Sequence, residues 1–555
     1  MTRTSFTTIG RRGALALLGS GAGLALPAMA QAAPARSARF DHGIASGDPA
    51  RDGAVLWTRA TPVGGTGDVA LEWHVADAPD AKPRMSGRVT AWSLADHTAK
   101  VEVAGLAPGR DYWFWFGAPG GVRSPVGRFR TLPIGAVDRL SIAIASCQLY
   151  PGGLFNAYAD MAALPQLDAV VHLGDYIYEY GAEGYGADIG RKLNRLPDPA
   201  HEIVKLDDYR RRHAQVKSDP DMQAAHARAA FICVWDDHEV ANDGWIGGAQ
   251  NHDPATEGDW SARKAAALQA YFEWMPIRES RRGTDPAAIY RSFDFGDLAT
   301  LAMVETRLLA RSQQVAFKGE TRDPDEVAAV LAARVRPDRE LLGAAQQRWL
   351  EETFARSVRA GKPWQLLGNQ VVMARIDGPD LPLMIGPDRF AQLLAALPQV
   401  WQQRLPAMIA GFRAGAPLNL DSWDGYPAAR ERLYRAFARA GTRPIVLSGD
   451  SHAAWSNDLY DDAGRLAAAE FGCTAITSPS FGAVLPGFGA YIAEANKEVV
   501  FCDQDHKGYT LLTLSRDDVV AEHIAVSSVM AKPFTRKVVA RHRVSTDPKQ
   551  AIAAL

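Results

Sequence analysis

Residues 140–153 read LSIAIASCQLYPGG. A short apolar run stops at Ser146-Cys147, and the rest of the chain repeats the pattern. LDAVVHLGDYIYEYG (167–181) places Asp175 and Tyr178 just past a second run. FICVWDDHEVANDGW (231–245) places Asp236, Asp237, His238 and Glu239 past a third. WQLLGNQVVMAR (364–375) delivers Asn369, and PIVLSGDSHAAWSND (444–458) delivers Asp450 and His452. Runs of four to eight apolar residues bounded by turn signals read as buried strands. Between them lie stretches with apolar residues at three- and four-residue spacing, such as ELLGAAQQRWLEETF (340–354), which read as helices. Strands alternating with helices predict an α/β or layered α+β catalytic domain over residues 138–530. In such folds strand ends converge on one edge of the sheet, where the chemistry sits.

Working outward, residues 38–133 have another texture. GAVLWTRAT (53–61), VALEWHVA (69–76), RVTAW (88–92), AKVEVA (99–104), DYWFWFGA (111–118) and VGRFRTL (126–132) are short alternating segments separated by Gly, Pro and Asp turns. They predict an immunoglobulin- or fibronectin-like β-sandwich, with Pro133-Ile134-Gly135 as linker. The long gaps 181–230 and 376–440 are expected to form lids and pocket walls. The tail, 531–555, reads as polar, basic and helix-compatible.

Residues 1–33 read as a leader. Arg11-Arg12 precedes the apolar run GALALLGSGAGLAL, and Ala28-Met29-Ala30 follows as a small-residue cleavage pattern. This is the pattern of a twin-arginine signal peptide, and the run is shorter than the ~20 residues a membrane span needs. Export to the periplasm or the medium through the twin-arginine machinery is therefore expected, with no transmembrane segment. The composition, 47% hydrophobic and 22% charged, is that of a globular chain. A net charge of −2 gives no electrostatic footprint for a stable nucleic-acid complex. Four cysteines are too few for a disulfide scaffold. Cys233 and His172 read as core residues, and spacing leaves the pairing of Cys473 and Cys502 open.

Each motif alone has a bland reading: a packed cysteine, a Gly-Asp turn, a helix N-cap with acids in its first turn. Repetition at five strand ends makes one shared site the better explanation. The donors are unlike. A Tyr178 phenolate and a Cys147 thiolate favour a ferric ion, while Asp237, Asn369 and Asp450 suit a harder cation such as Ca²⁺, Mn²⁺ or Mg²⁺. Asp175 is placed to bridge them. Two metals ~3.5–4 Å apart form a standard clamp for displacement at phosphorus. Arg307, ending LATLAMVETR (298–307), reads equally well as a grip on a phosphate oxygen or as an ion pair with Glu305 or another nearby acid. Asn242 and Asp243 read as loop caps rather than ligands.

These motifs, with FDHGIASGDPARDGAVLWTRATP (40–62), resemble the alkaline phosphatase D family of the calcineurin-like metallophosphatase superfamily over nearly the whole mature chain. Ser146-Cys147 stands where most superfamily members have Asp-x-His, Asp236-Asp237-His238-Glu239 where they have Gly-Asn-His-Asp/Glu, and Asp450-Ser451-His452 where they have His-x-His. Asn369 takes the place of an intermediate His. The resemblance implies a four-layer α/β-sandwich catalytic domain after the N-terminal module. It implies Fe³⁺ held by Cys147, Asp175, Tyr178 and His452, and Ca²⁺ held by Asp175, Asp237, Asn369 and Asp450. The cluster would be dinuclear or larger, with Mn, Mg or Zn as substitutes. His238 would contact the phosphate or protonate the leaving oxygen. The implied activity is hydrolysis of small phosphate monoesters or diesters by a metal-bound hydroxide, without a covalent enzyme intermediate. Its rivals are a dedicated phosphodiesterase acting on lipids or polymers and a non-catalytic surface binding protein.

Overall fold

The computed structural model describes residues 37–279, 285–318, 323–547 and 550–555. The leader predicted over residues 1–33 lies outside them. No helix among the described residues is long and apolar enough to cross a membrane.

Two large sheets carry the molecule. In the first, Leu140–Ala145, Ala169–His172 and Ala230–Cys233 run parallel as neighbours, with Ile142 opposite Ala169 and Ala169 opposite Ala230. In the second, Ala299–Met303, Trp364–Gly368 and Ile445–Ser448 do the same, with Leu366 opposite Ile445. The apolar runs of the sequence become these six strands because each is buried on both faces. Successive residues point to opposite sides. Leu301, Leu366, Ile445 and Leu447 therefore join Ile142, Ile144, Val170 and Phe231 of the first sheet in one core. Their neighbours Ala302, Leu367 and Val446 join a second core with Leu350 and Phe354 of the helix Ala344–Arg359 and Leu433 and Phe437 of the helix Pro427–Ala440.

The segment 38–133 feeds three sheets, the smallest a pairing of Ala38–Arg39 with Thr61–Pro62. Val69–Ala76, Met85–Ala91, Asp111–Ala118, Val122–Arg123 and Gly127–Arg130 form one of their own. Ile44–Ala50, Gly53–Arg59 and Thr98–Val103 instead extend the first large sheet, joined where Phe231 pairs with Gly47. Ile44, Leu56 and Val103 share a core with Leu71, Val75, Phe114 and Phe129. Ile44–Ala50 (IASGDPA) carries too much Gly and Pro to read as a strand from sequence alone.

The tail corrects its expectation. Residues Arg536–Ser545 form a strand antiparallel to Asp518–Val526, and Ala553–Ala554 adds a further pairing. The β-branched Val538, Val539 and Val544 and the burial of His542 and Val544 on one face outweigh the helix-compatible charges. The gap 181–230 holds the helices Ala187–Leu193, Leu206–Lys217 and Pro220–Arg228. The gap 376–440 is also largely helical.

Candidate metal centre

The parallel strands end on one edge, and the polar residues after them meet there. Cys147, Asp175 and His452 bring ligand atoms within 4.8 Å of one another. Asp175, Asp237 and His238 do the same, as do Asp236, Asp237 and Asp450. Because the groups share Asp175 and Asp237, they form one continuous cluster. Tyr178 belongs to it, donating its hydroxyl to Asp175 Oδ2 at 2.9 Å and lying 3.4 Å from His452 Nε2.

Local backbone geometry explains how side chains from separate loops reach one point. Cys147, Asp175, Asp450 and His452 adopt φ of 59°, 57°, 60° and 58°. Residues with a side chain seldom occupy this left-handed region, and such strain gathers where a site dictates the conformation. Gly174 lets two loops touch, since a Cβ there would lie 2.3 Å from the backbone nitrogen of Asp236. Glu239 then clips the loops together. Its buried carboxylate accepts from the backbone N–H groups of Asp175 (3.0 Å), Tyr176 (2.8 Å) and Asp236 (2.8 Å).

Neutral hydrogen bonds order one half of the cluster. Cys147 Sγ donates to Ser146 Oγ at 3.2 Å. Ser478 Oγ donates to the Cys147 carbonyl at 2.8 Å and lies 2.7 Å from the Tyr178 hydroxyl. His452 Nδ1 is 2.7 Å from the Pro479 carbonyl, which makes that nitrogen the donor and leaves Nε2 as a lone-pair ligand. Burial holds His452 neutral, with its pKa down at about 3, and pushes the Cys147 thiol and Tyr178 phenol up.

The other half is ordered by charge. Arg307 is fully buried among four acids. Its Nε donates to Asp236, Nη1 donates to Asp421 Oδ2 at 2.6 Å, and Nη2 lies 3.2 Å from Asp450 Oδ1 and 3.4 Å from Asp237 Oδ1. Of the two readings of this residue, these contacts favour the ion pair. Glu305 contributes by accepting from the Arg307 backbone N–H at 3.0 Å. Burial raises the carboxyl of Asp450 to about 7 even against Arg307, and Asp243, close by, is raised by burial to about 8.

His238 stands between the halves. Its Nδ1 is 2.7 Å from the buried Glu179 carboxylate, which also accepts from the Asn242 backbone and from Asn251 Nδ2 at 2.7 Å each. Burial opposes a charged imidazole, but Glu179, Asp237 and Asp175 together hold its pKa well above the usual histidine value. Asn369 stands after a neighbouring strand of the second sheet, next to that of Asp450. Its Oδ1 accepts from Trp423 Nε1 at 3.1 Å. That oxygen retains a second lone pair, and among the described residues no hydrogen bond joins it to the other ligands.

The residues fit a cation cluster. Asp175 Oδ1 and Asp236 Oδ2 are buried with no hydrogen-bond partner among the described residues, whereas Asp237 Oδ1, also without a hydrogen bond, has the Arg307 guanidinium at 3.4 Å. Buried carboxylate oxygens in that condition are costly unless a cation meets them. All four cysteines are free, so Cys147 has a thiol to offer, and Cys473 and Cys502 are not joined. Cys233 ends its strand as a core residue, and His172 is tied to Gln148 at 3.1 Å.

Sequence reasoning did not single out Glu179, Asp421, Ser478 or Tyr185. Glu179 lay inside a quoted motif beside Tyr178. The other three sit in irregular loops without period or motif.

The family model described as PhoD-like phosphatase matches residues 142–523, and that of the PhoD-like phosphatase N-terminal domain matches residues 26–133. The chain is 35% identical over 491 residues to alkaline phosphatase D of Bacillus subtilis (strain 168), covering 86% of this chain and 76% of that one. It also resembles a solved structure of PhoD, with a TM-score of 0.77 and 31% identity over 95% of this chain and 93% of the other.

Proposed function

The chain belongs to the PhoD-like phosphatase family and is a phosphoric ester hydrolase; on that premise we propose that it is an exported, metal-dependent enzyme acting on small phosphate monoesters or diesters. The observation that carries the reading is the continuous ligand cluster with the unpartnered carboxylate oxygens of Asp175 and Asp236. Cys147, Asp175, Tyr178 and His452 would hold an iron-like ion, and Asp175, Asp237, Asn369 and Asp450 a calcium-like ion. Such a pair, when bound, acidifies water for attack at phosphorus and neutralises charge on the phosphoryl oxygens.

The protein's own groups do the rest. Glu179 fixes His238 through Nδ1, so Nε2 is the atom that meets the phosphoryl group or gives its proton to the leaving oxygen. Arg307 balances the charge of Asp236, Asp237, Asp421 and Asp450 and holds their side chains in register. No side chain of this chain is needed as nucleophile, so displacement by water inverts phosphorus. The paired arginines and apolar run of residues 11–26 support twin-arginine export to the periplasm or the medium. We read the facing sheets with helices outside them as the four-layer sandwich, and the strands of residues 38–133, three of which extend the first of those sheets, as the N-terminal module.

The test is hydrolysis of bis- and mono-p-nitrophenyl phosphate before and after chelation. Hydrolysis lost on chelation and restored by iron with calcium supports the reading. Full activity after complete metal removal contradicts it.

A further inference from the structure

Two tyrosines stand at the centre without belonging to the ligand set. The Tyr180 ring lies 5.3 Å from the His238 imidazole at 59°, and the Tyr185 ring lies 6.1 Å from the His452 imidazole, stacked at 15°. The two tyrosine rings are 6.0 Å apart at 69°. An aromatic wall thus runs from the imidazole on one side of the cluster to the imidazole on the other. Both tyrosines are only half-buried.

The wall is rigid. The Tyr185 hydroxyl donates to the Pro479 carbonyl at 2.5 Å and lies 3.2 Å from His452 Nδ1. The Tyr180 backbone is held by the buried Arg212, whose guanidinium donates to the carbonyls of Tyr178, Tyr180 (3.0 Å), Asp198 (3.2 Å) and Pro199 (3.0 Å). The Tyr180 hydroxyl itself has no hydrogen-bond partner among the described residues. A ring kept only for packing would be buried, whereas this one is fixed through its main chain and leaves part of its surface open beside His238.

We propose that Tyr180, with Tyr185 as its fixed neighbour, is the leaving-group subsite and selects phosphoesters that carry a planar aromatic ring on the leaving oxygen. The inference rests on the hydrolase reading and on His238 facing that oxygen. The Tyr178 ring lies closer to His238, at 4.3 Å, but is buried, so Tyr180 is the neighbouring ring with open surface, and an aromatic leaving group gains an offset or edge contact there that an alkyl chain lacks.

The experiment compares kcat/KM of the holoenzyme for phenyl phosphate and n-butyl phosphate in wild type, Tyr180→Leu and Tyr180→Phe. Binding of the non-hydrolysable phenylphosphonate and butylphosphonate is measured beside it by calorimetry. Tyr180→Leu is expected to lower the phenyl-over-butyl ratio about three- to tenfold through KM, the range of an aromatic pair, while Tyr180→Phe keeps the ratio. Wild type is expected to bind phenylphosphonate more tightly than butylphosphonate. An unchanged ratio in Tyr180→Leu overturns the subsite. Should that variant fail to fold, equal affinity of wild type for the two phosphonates overturns it instead. If wild type hydrolyses neither ester yet prefers phenylphosphonate, the subsite stands and the hydrolase reading falls.

Discussion

Around Cys147, Tyr178 and His452 the ordering contacts are neutral: Ser146 Oγ, Ser478 Oγ and the Pro479 carbonyl. Around Asp236, Asp237 and Asp450 they are ionic, and one guanidinium, Arg307, serves all three together with Asp421. The two halves meet through Asp175 at the same end of the two sheets, yet they solve different problems. The first must present a thiol, a phenol and an imidazole to one point without charge to attract them, so it relies on directed hydrogen bonds and left-handed backbone. The second must keep several buried carboxylates from repelling one another, so it relies on a cation built into the chain. The halves should therefore fail differently.

The largest expected effect is on stability and falls on the ionic half. Arg307→Met leaves its acids without their counter-charge, and breaking a buried pair in this way costs about 3–5 kcal/mol. Chemical denaturation of chelator-treated protein measures it, and added Ca²⁺ should recover part of the loss. Cys147→Ala in the same assay should cost only about 1 kcal/mol, because it removes one small packed group and no charge. Equal losses in the two variants would erase the distinction.

Asp175→Asn attacks the carboxylate common to both halves. It should lower kcat/KM for phosphoester hydrolysis more than about a hundredfold, beyond what outer partners of metal ligands cost, and reduce metal in both halves. Retained metal with retained activity would show that Asp175 is no bridge. Glu179→Gln keeps the ligands and removes the charge behind His238. A fall in kcat of about ten- to a hundredfold at unchanged metal content is expected, below the roughly 10²–10⁴-fold of a whole general acid because His238 itself remains. The smallest effect sharpens the neutral half. Ser478→Ala deletes the hydroxyl beside Tyr178 and the Cys147 carbonyl, and metal release to a chelator should quicken by about tenfold with little change in melting temperature.

Much of this arrangement is legible in the sequence, for a physical reason. A strand buried on both faces must be apolar throughout, as Trp364–Gly368 is, and one covered on a single face alternates, as Val69–Ala76 and Asp111–Ala118 do, so the ends are visible and all three fall on the predicted residues. Parallel strands then bring Cys147, Asp175, Asp237 and Asp450 to one edge. What is not legible depends on loops and partners. Asn369 sits at the right edge, but its carboxamide is held by Trp423, some fifty positions away in the chain. Asp421 and Ser478 reach the centre from irregular segments that carry no period. The tail misleads because its exposed Arg536, Lys537, Arg541 and Arg543 mask the alternation of a strand whose other face is covered.

Elemental analysis of purified wild type beside Tyr178→Phe examines the central claim most directly. Two unlike metals should be present in wild type, and the tyrosine variant should lose the iron-like ion while keeping the calcium-like one. Wild type that binds no metal, or a variant that sheds both ions together, would contradict a centre built from two separately ordered halves.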